Sequence, residues 1–287
     1  MIEIEKRKLP KSTFEITVKV AWEKINEQYK KAFKELLSEL NLPGFRKGKV
    51  PEKIGEKEIK KEAIHDRLVR KFLPELYQET LKKTELKPII SPKVEMLKSG
   101  DNIAWEFKFT IAEKPEIVLG DYKKKVKEAK ERANKAEIWV PGKDAPKDAK
   151  KPDQSKLLNE ILTSLITTVE CEISDLILEE EINRRLTKLV DDVQKIGLTV
   201  EKYLASSNLT MEKLKERLAK EVADTYKIEF ILSEIADKEG IKVEDSDLNK
   251  IFGGITDEKE KNEAKANAYF YATILRKQKA IEFLTSL

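Results

Sequence analysis

Ile103-Ala104-Trp105-Glu106-Phe107-Lys108-Phe109-Thr110-Ile111 places a bulky apolar side chain at every second position and sets Glu106, Lys108 and Thr110 between them. Successive side chains of a strand point to opposite faces, so this pattern predicts a strand with one buried and one wet face. The same period recurs upstream. Phe14, Ile16, Val18 and Val20 alternate with Glu15, Thr17 and Lys19, and Ile2 and Ile4 fit an earlier strand. Val94 and Met96 start another, after breaks at Pro88 and Pro92 and before a Gly100-Asp101-Asn102 turn.

Between these strands the period changes. Trp22, Ile25, Tyr29, Ala32, Phe33, Leu36 and Leu40 recur at three or four, the spacing of an amphipathic helix that Asn41, Pro43 and Gly44 stop. Ile59, Ala63, Ile64, Leu68, Phe72 and Leu76 continue with more helix, in which Pro74 is a candidate kink. Residues 1–115 therefore read as an α+β N-terminal domain, an antiparallel sheet with helices.

Residues 116–153 read as a helical and then flexible connector. Residues 121–138 are rich in Lys, Glu and Ala without an apolar stripe, and Pro141, Gly142, Pro146 and Pro152 punctuate the stretch after them. Lys123-Lys124-Lys125 and Lys150-Lys151 read as solvated charge. Residues 154–287 read as an all-α C-terminal domain. One helix, capped by Ser174 or Asp175, is expected to bury Leu178, Ile182, Leu186, Leu189, Val193 and Ile196 and to end at Gly197. Another spans about Thr210 to Glu239, where Ile228, Phe230, Ile231, Leu232 and Ile235 crowd more than one face. A last helix is expected from about Thr256 to the end, with a second crowd at Tyr269, Phe270, Tyr271, Ile274 and Leu275.

Composition narrows the function classes. Of the 287 residues, 38% are charged and 7% aromatic, which points to a well-solvated, helix-rich molecule. The net charge of +4 conceals an asymmetry: residues 1–151 hold 37 Lys/Arg against 26 Asp/Glu, and residues 152–287 hold 20 against 27. A basic front half fits an anionic partner, and an acidic back half argues against nucleic-acid binding along the whole chain. Cys171 and His65 are the sole cysteine and histidine. They exclude an intrachain disulfide and the usual zinc sites, so no metal and no cofactor is expected. His65 falls on the apolar arc of its helix and reads as structural. The start, Met1-Ile2-Glu3-Ile4-Glu5, lacks a signal-peptide pattern, and no apolar run approaches the ~20 residues of a membrane span. A cytoplasmic protein with no membrane partner is expected.

The stretch that departs from a packing pattern is Gly44-Phe45-Arg46-Lys47-Gly48-Lys49-Val50-Pro51. Pro43 and Pro51 stiffen its ends, and the glycines permit backbone angles that other residues resist. An aromatic and three cations sit between. Two readings stand on the residues alone: a docking loop whose Phe45 enters an apolar crevice while Arg46, Lys47 and Lys49 meet phosphates or carboxylates, or a basic hairpin with Phe45 tucked into the core. It is not a Walker phosphate loop, because three residues separate the glycines and Val50 comes after the lysine.

This eight-residue stretch resembles the signature of the bacterial trigger factor family, and the order strand, helix, signature, helix, strand matches around it. Ile173-Ser174-Asp175-Leu176-Ile177-Leu178-Glu179-Glu180-Glu181-Ile182 is similar to the start of a helix in that family's chaperone domain. The resemblance implies an ATP-independent ribosome-associated chaperone. Gly44, Phe45, Arg46, Lys47, Gly48 and Lys49 would dock at exit-tunnel protein and rRNA. The apolar crowding of the helical half, at Phe230, Ile231, Tyr269, Phe270 and Tyr271, is read from the residues themselves as surface for unfolded or nascent polypeptides, and a monomer or weak homodimer is expected. The family usually inserts a prolyl-isomerase domain of roughly a hundred residues. Only a short connector stands there, so no catalytic residue and no isomerase activity is expected. The rival reading is a basic RNA-binding or ribosome-assembly factor with a helical docking module.

Overall fold

Opposite residues of paired antiparallel strands share a face, and the alternating segments pair with their apolar positions in register. The computed structural model describes residues 2–135, 154–206, 208–255 and 257–287. The chain divides into two compact units, Met1–Lys114 and Pro115–Leu287.

The first unit comprises β1 (Ile2–Leu9), β2 (Thr13–Val20), α1 (Trp22–Glu39), α2 (Glu52–Glu58), α3 (Lys61–Thr84), β3 (Lys93–Lys98) and β4 (Trp105–Ala112). Its sheet is antiparallel in the order β1-β2-β4-β3. Ile16 stands opposite Phe109, Val18 opposite Phe107 and Val20 opposite Trp105, and all six are buried. Ile25 and Ala32 of α1 and Ile64, Leu68, Phe72 and Leu76 of α3 join the same core. His65 lies edge-on to Tyr29 at 5.5 Å and to Trp105 at 5.7 Å between ring centroids, a packing role. Ile103 is corrected: it falls in the turn before β4 and is 38% exposed, so the buried alternation begins at Trp105.

The second unit comprises β5 (Ile117–Val118), α4 (Tyr122–Lys135), α5 (Gln154–Thr168), β6 (Glu170–Cys171), α6 (Asp175–Lys195), α7 (Val200–Ser206), α8 (Met211–Lys238), α9 (Asp245–Gly253), α10 (Glu258–Ala266) and α11 (Ala268–Ser286). β5 and β6 form a small antiparallel pair within this mainly helical unit. The connector reading fails for residues 117–135. Tyr122, Val126 and Ala129 recur at four and three on α4 and are buried with Ile161, Leu165, Ile231, Leu232, Ile235, Ala280 and Leu284. The stripe is narrow and lies among lysines, which hides it from composition. The Tyr122 hydroxyl donates to Glu239 at 2.6 Å, and Lys123 donates to the same carboxylate at 2.8 Å. Burial, then the hydrogen bond to Glu239 and the charge of that carboxylate, push the Tyr122 phenol far up. Lys123 is thus partnered and not simply solvated. The proline-bearing stretch 140–153, with Lys150 and Lys151, lies outside the described residues, as does Thr256.

Two further helices differ from expectation. Ser174 caps α6 by accepting from the Leu176 N–H, but the helix buries Ile177, Glu181 and Val193. Leu178, Ile182, Leu186 and Leu189 are half-buried and Ile196 is 69% exposed. A single packed face meets α8, and it is rotated from the apolar stripe. Arg184 and Arg185 each donate to the buried Glu181 carboxylate at 2.8 Å, satisfying it at the helix surface. The last helix is two. Asp257 caps α10 through the Lys259 and Glu260 N–H groups, and Asn267 ends it by donating its side-chain amide to the Glu263 carbonyl.

Two outcomes are expected. Phe109→Ala should cost the first unit about 3–5 kcal/mol in denaturant unfolding, the range for truncating a buried Phe. A fragment of residues 115–287 should fold. One beginning at 154 should lose helicity and cooperative unfolding by circular dichroism, because it lacks Tyr122, Val126 and Ala129.

Candidate docking loop and apolar surfaces

The loop between α1 and α2 is built from two successive tight turns. The Phe45 N–H donates to the Leu42 carbonyl at 3.1 Å and the Lys49 N–H to the Arg46 carbonyl at 2.9 Å. Gly44 and Gly48 occupy the third position of each turn with φ of +88° and +76°. That conformation is natural to glycine and costs other residues energy, which is why the spacing of the two glycines matters. A Cβ on Gly48 would also stand 3.2 Å from the Ser38 carbonyl oxygen.

The turns lift the chain into solvent. Residues 43–49 are exposed, Phe45 at 39%. Phe45 is therefore not tucked into the core. Among the described residues neither Arg46 nor Lys49 takes part in an ion pair.

The root of the loop is held on both sides. Val50 is buried, and Pro51 precedes α2 as its N-cap. Gly55 is buried where α2 meets α1, so close that a Cβ there would stand 2.2 Å from Leu37 Cδ1. Arg67 of α3 grips Glu39 with both guanidinium nitrogens, at 2.9 and 2.7 Å, and Lys71 bonds Glu35 at 2.7 Å. Planar two-point pairing fixes orientation as well as distance. The Arg67 hydrogen bonds first, and the Arg67, Lys47 and Lys71 charges after them, hold the Glu39 carboxyl below the usual carboxylate range. The loop is thus a turn pair on a clamped base. Sequence reading missed Gly55, Glu39 and Arg67. A helical glycine carries no local signal, and the pair is separated by 28 positions.

In the second unit, Tyr269 is 88% exposed and Phe270 60%, both near the start of α11, and Ile274 on the same helix is 46% exposed. Tyr271 is half-buried, edge-on to Phe252 at 5.7 Å. Tyr269 borders a cleft of about 430 Å³ between α8 and α11, with Leu232, Ala236, Ile241 and Ala272 in its wall and Arg276 at its rim. Arg276 is occupied by the Ile241 carbonyl and Asp237, at 2.9 and 2.7 Å. Phe230 is half-buried beside Tyr226 at 6.1 Å. Ile231 is corrected: it is fully buried in the core of the unit and is not surface. On a helix packed along one side, the residue after Phe230 turns about 100° inward.

Among the described residues no group of three or more His, Cys, Asp and Glu is placed to hold a metal ion, and no helix is long and apolar enough to cross a membrane. Cys171 is buried, and burial raises its thiol.

The family model described as bacterial trigger factor protein matches residues 2–139, and the model of that protein's C-terminus matches residues 143–285. The chain belongs to the bacterial trigger factor family. The trigger factor of Halalkalibacterium halodurans is 41% identical over 110 residues, which are 38% of this chain and 25% of that protein. The trigger factor of Staphylococcus epidermidis is 40% identical over 108 residues, 38% of this chain and 25% of its own length. That of Shouchella clausii is 32% identical over 168 residues, 58% of this chain and 36% of its own. The aligned parts thus span about a quarter to a third of these trigger factors. A solved structure described as "Promiscuous Substrate Recognition in Folding and Assembly Activities of the Trigger Factor Chaperone" superposes with a TM-score of 0.66 over 98% of both chains at 18% identity, which establishes a shared fold.

The geometry yields two checks. Gly48→Ala should cost about 1–2 kcal/mol, the penalty for a side chain in the left-handed region, seen as a lower thermal midpoint. Arg67→Gln should return the Glu39 carboxyl toward the ordinary carboxylate range in an NMR titration. Because the folded value is lowered, the contact stabilises above the unfolded carboxylate range and is lost as pH falls through the folded value.

Proposed function

We propose that this trigger factor chain is an ATP-independent chaperone that docks on the ribosome through residues 44–49 and holds nascent or unfolded polypeptides on apolar surface of its second unit. The observation that carries the reading is the exposed Phe45 among Arg46, Lys47 and Lys49 on a base fixed by Gly55 and by the Glu39–Arg67 contact. An apolar wedge ringed by cations on a rigid base suits a surface of protein and phosphate. Exit-tunnel protein and rRNA present both. Tethering beside emerging chains raises their effective concentration, so the contacts with clients can be weak. Tyr269, Phe270 and Ile274 supply such contacts. The protein works in the cytoplasm, as a monomer or weak homodimer.

We read the chain as having no isomerase activity. The first matched segment ends at residue 139 and the second begins at residue 143. That interval holds no domain, since domains run to at least about 50 residues.

The replacement of Phe45, Arg46 and Lys47 together by Ala should abolish cosedimentation with ribosomes while leaving the thermal midpoint within about 1 °C, because exposed loop tips contribute little to core burial. Binding of the unaltered chain should weaken as salt rises. In the same preparation, aggregation of a denatured unrelated protein should fall with added chain and no nucleotide. Ribosome binding without suppression of aggregation would favour an assembly factor. X-Pro isomerisation should stay at its spontaneous rate of tens to hundreds of seconds.

A further inference from the structure

β3 is an edge strand, and its outward side is unlike that of the opposite edge. β1 meets solvent with Glu3, Glu5, Lys6, Arg7 and Lys8, the charged residues that commonly blunt a sheet edge. β3 is charged at its two ends, with Lys93 and Lys98 exposed, but between them it exposes Val94 at 37%, Met96 at 44% and Leu97 at 50%. Val94 stands opposite Phe109 and Met96 opposite Phe107, so both point to the helix-covered face of the sheet, just beyond the cover. The preceding segment prolongs that edge, because the Ile89 N–H donates to the carbonyl of Ala112, the last residue of β4, at 3.1 Å. Ile89 is 41% exposed and, with Leu81, Pro88 and Pro92, lines a shallow crevice of about 450 Å³ against α3. An edge strand turns alternate N–H and C=O groups away from its sheet, ready for another chain.

We propose that β3 is a polypeptide-binding edge of the first unit, which takes an extended segment of alternating apolar and polar residues as a fifth strand. The apolar side chains of that segment would lie beside Val94 and Met96 and reach the crevice at Ile89. Main-chain hydrogen bonds supply affinity in such strand addition, and alternate side chains supply selectivity. Charge chooses a foreign segment over a second copy of this chain. Antiparallel self-pairing centred on β3 sets Lys93 against Lys98 twice, and like charges directly opposite destabilise a pair. The register shift between Met96 and Lys98 further spoils a symmetric match. A segment with carboxylates near its ends meets both lysines favourably.

This site goes beyond the apolar surface of the second unit and rests on residues of the first alone. The test uses the full chain and a fluorescein-labelled short peptide alternating valine with serine and ended by glutamates, monitored by fluorescence anisotropy. Val94→Lys with Met96→Lys, both exposed, should weaken binding about tenfold or more with an unchanged thermal midpoint. The same peptide with every backbone N–H methylated should also lose binding. Tyr269→Ser with Phe270→Ser should leave the affinity as it was. Equal affinity for the lysine variant, or for the methylated peptide, overturns strand addition at β3. Loss in the Tyr269 and Phe270 variant places the peptide on the second unit and overturns this site while supporting that one. Concentration-dependent dimerisation that the lysine variant abolishes would make the occupant a second copy and likewise overturn the proposal.

Discussion

The Phe107 and Phe109 pair on β4, set against Val18 and Ile16 on β2, is the constraint on which the first unit depends. A slip of one residue would turn every apolar side chain of either strand to the wet face. With that register fixed, one face of the sheet is apolar and needs a cover, and α1 and α3 are the amphipathic elements available. Their packing brings Glu39 beside Arg67 and sets the end of α1 where Gly55 receives Leu37. The exposed loop is therefore positioned by the core: its glycines shape it, but the sheet decides where it stands.

The same constraint explains what the chain reveals when read residue by residue. β2 and β4 are visible because each has one buried and one wet face, and period two is the direct trace of that division. Ile103 misleads because it keeps the alternation past the end of the pairing. The loop is legible because two glycines at positive φ, two prolines and three cations have no use in a core. The clamp beneath it is not, since Glu39 and Arg67 look like any solvated pair until α1 and α3 are packed together.

The second unit is less legible, for physical reasons that differ by helix. On α4, the residues that pack are few, Tyr122, Val126 and Ala129, and lysines dominate the count. On α6, a wide apolar arc exceeds the packed face, so hydrophobicity alone does not tell which part is inside. The outcome is a half-buried row at Leu178, Ile182, Leu186 and Leu189. On α8, neighbours in sequence have opposite fates: Ile231 is core and Phe230 is only half-buried. The start of α11 is the clearest surplus, because Tyr269 and Phe270 are large and apolar and the unit leaves both in solvent. Such residues persist at low cost when charged neighbours keep the surface soluble, and here Lys and Glu are abundant on the adjoining helices.

The central claim is that the 44–49 loop is the contact point with the ribosome. Photo-crosslinking tests it most directly, with a photoreactive residue placed at position 45 of the full chain and ribosomes that carry a stalled nascent polypeptide. The account predicts crosslinks from position 45 to ribosomal components near the exit tunnel, lost when Arg46 and Lys47 are replaced by Ala. Abundant crosslinks from a position on β1 with none from position 45 would contradict it.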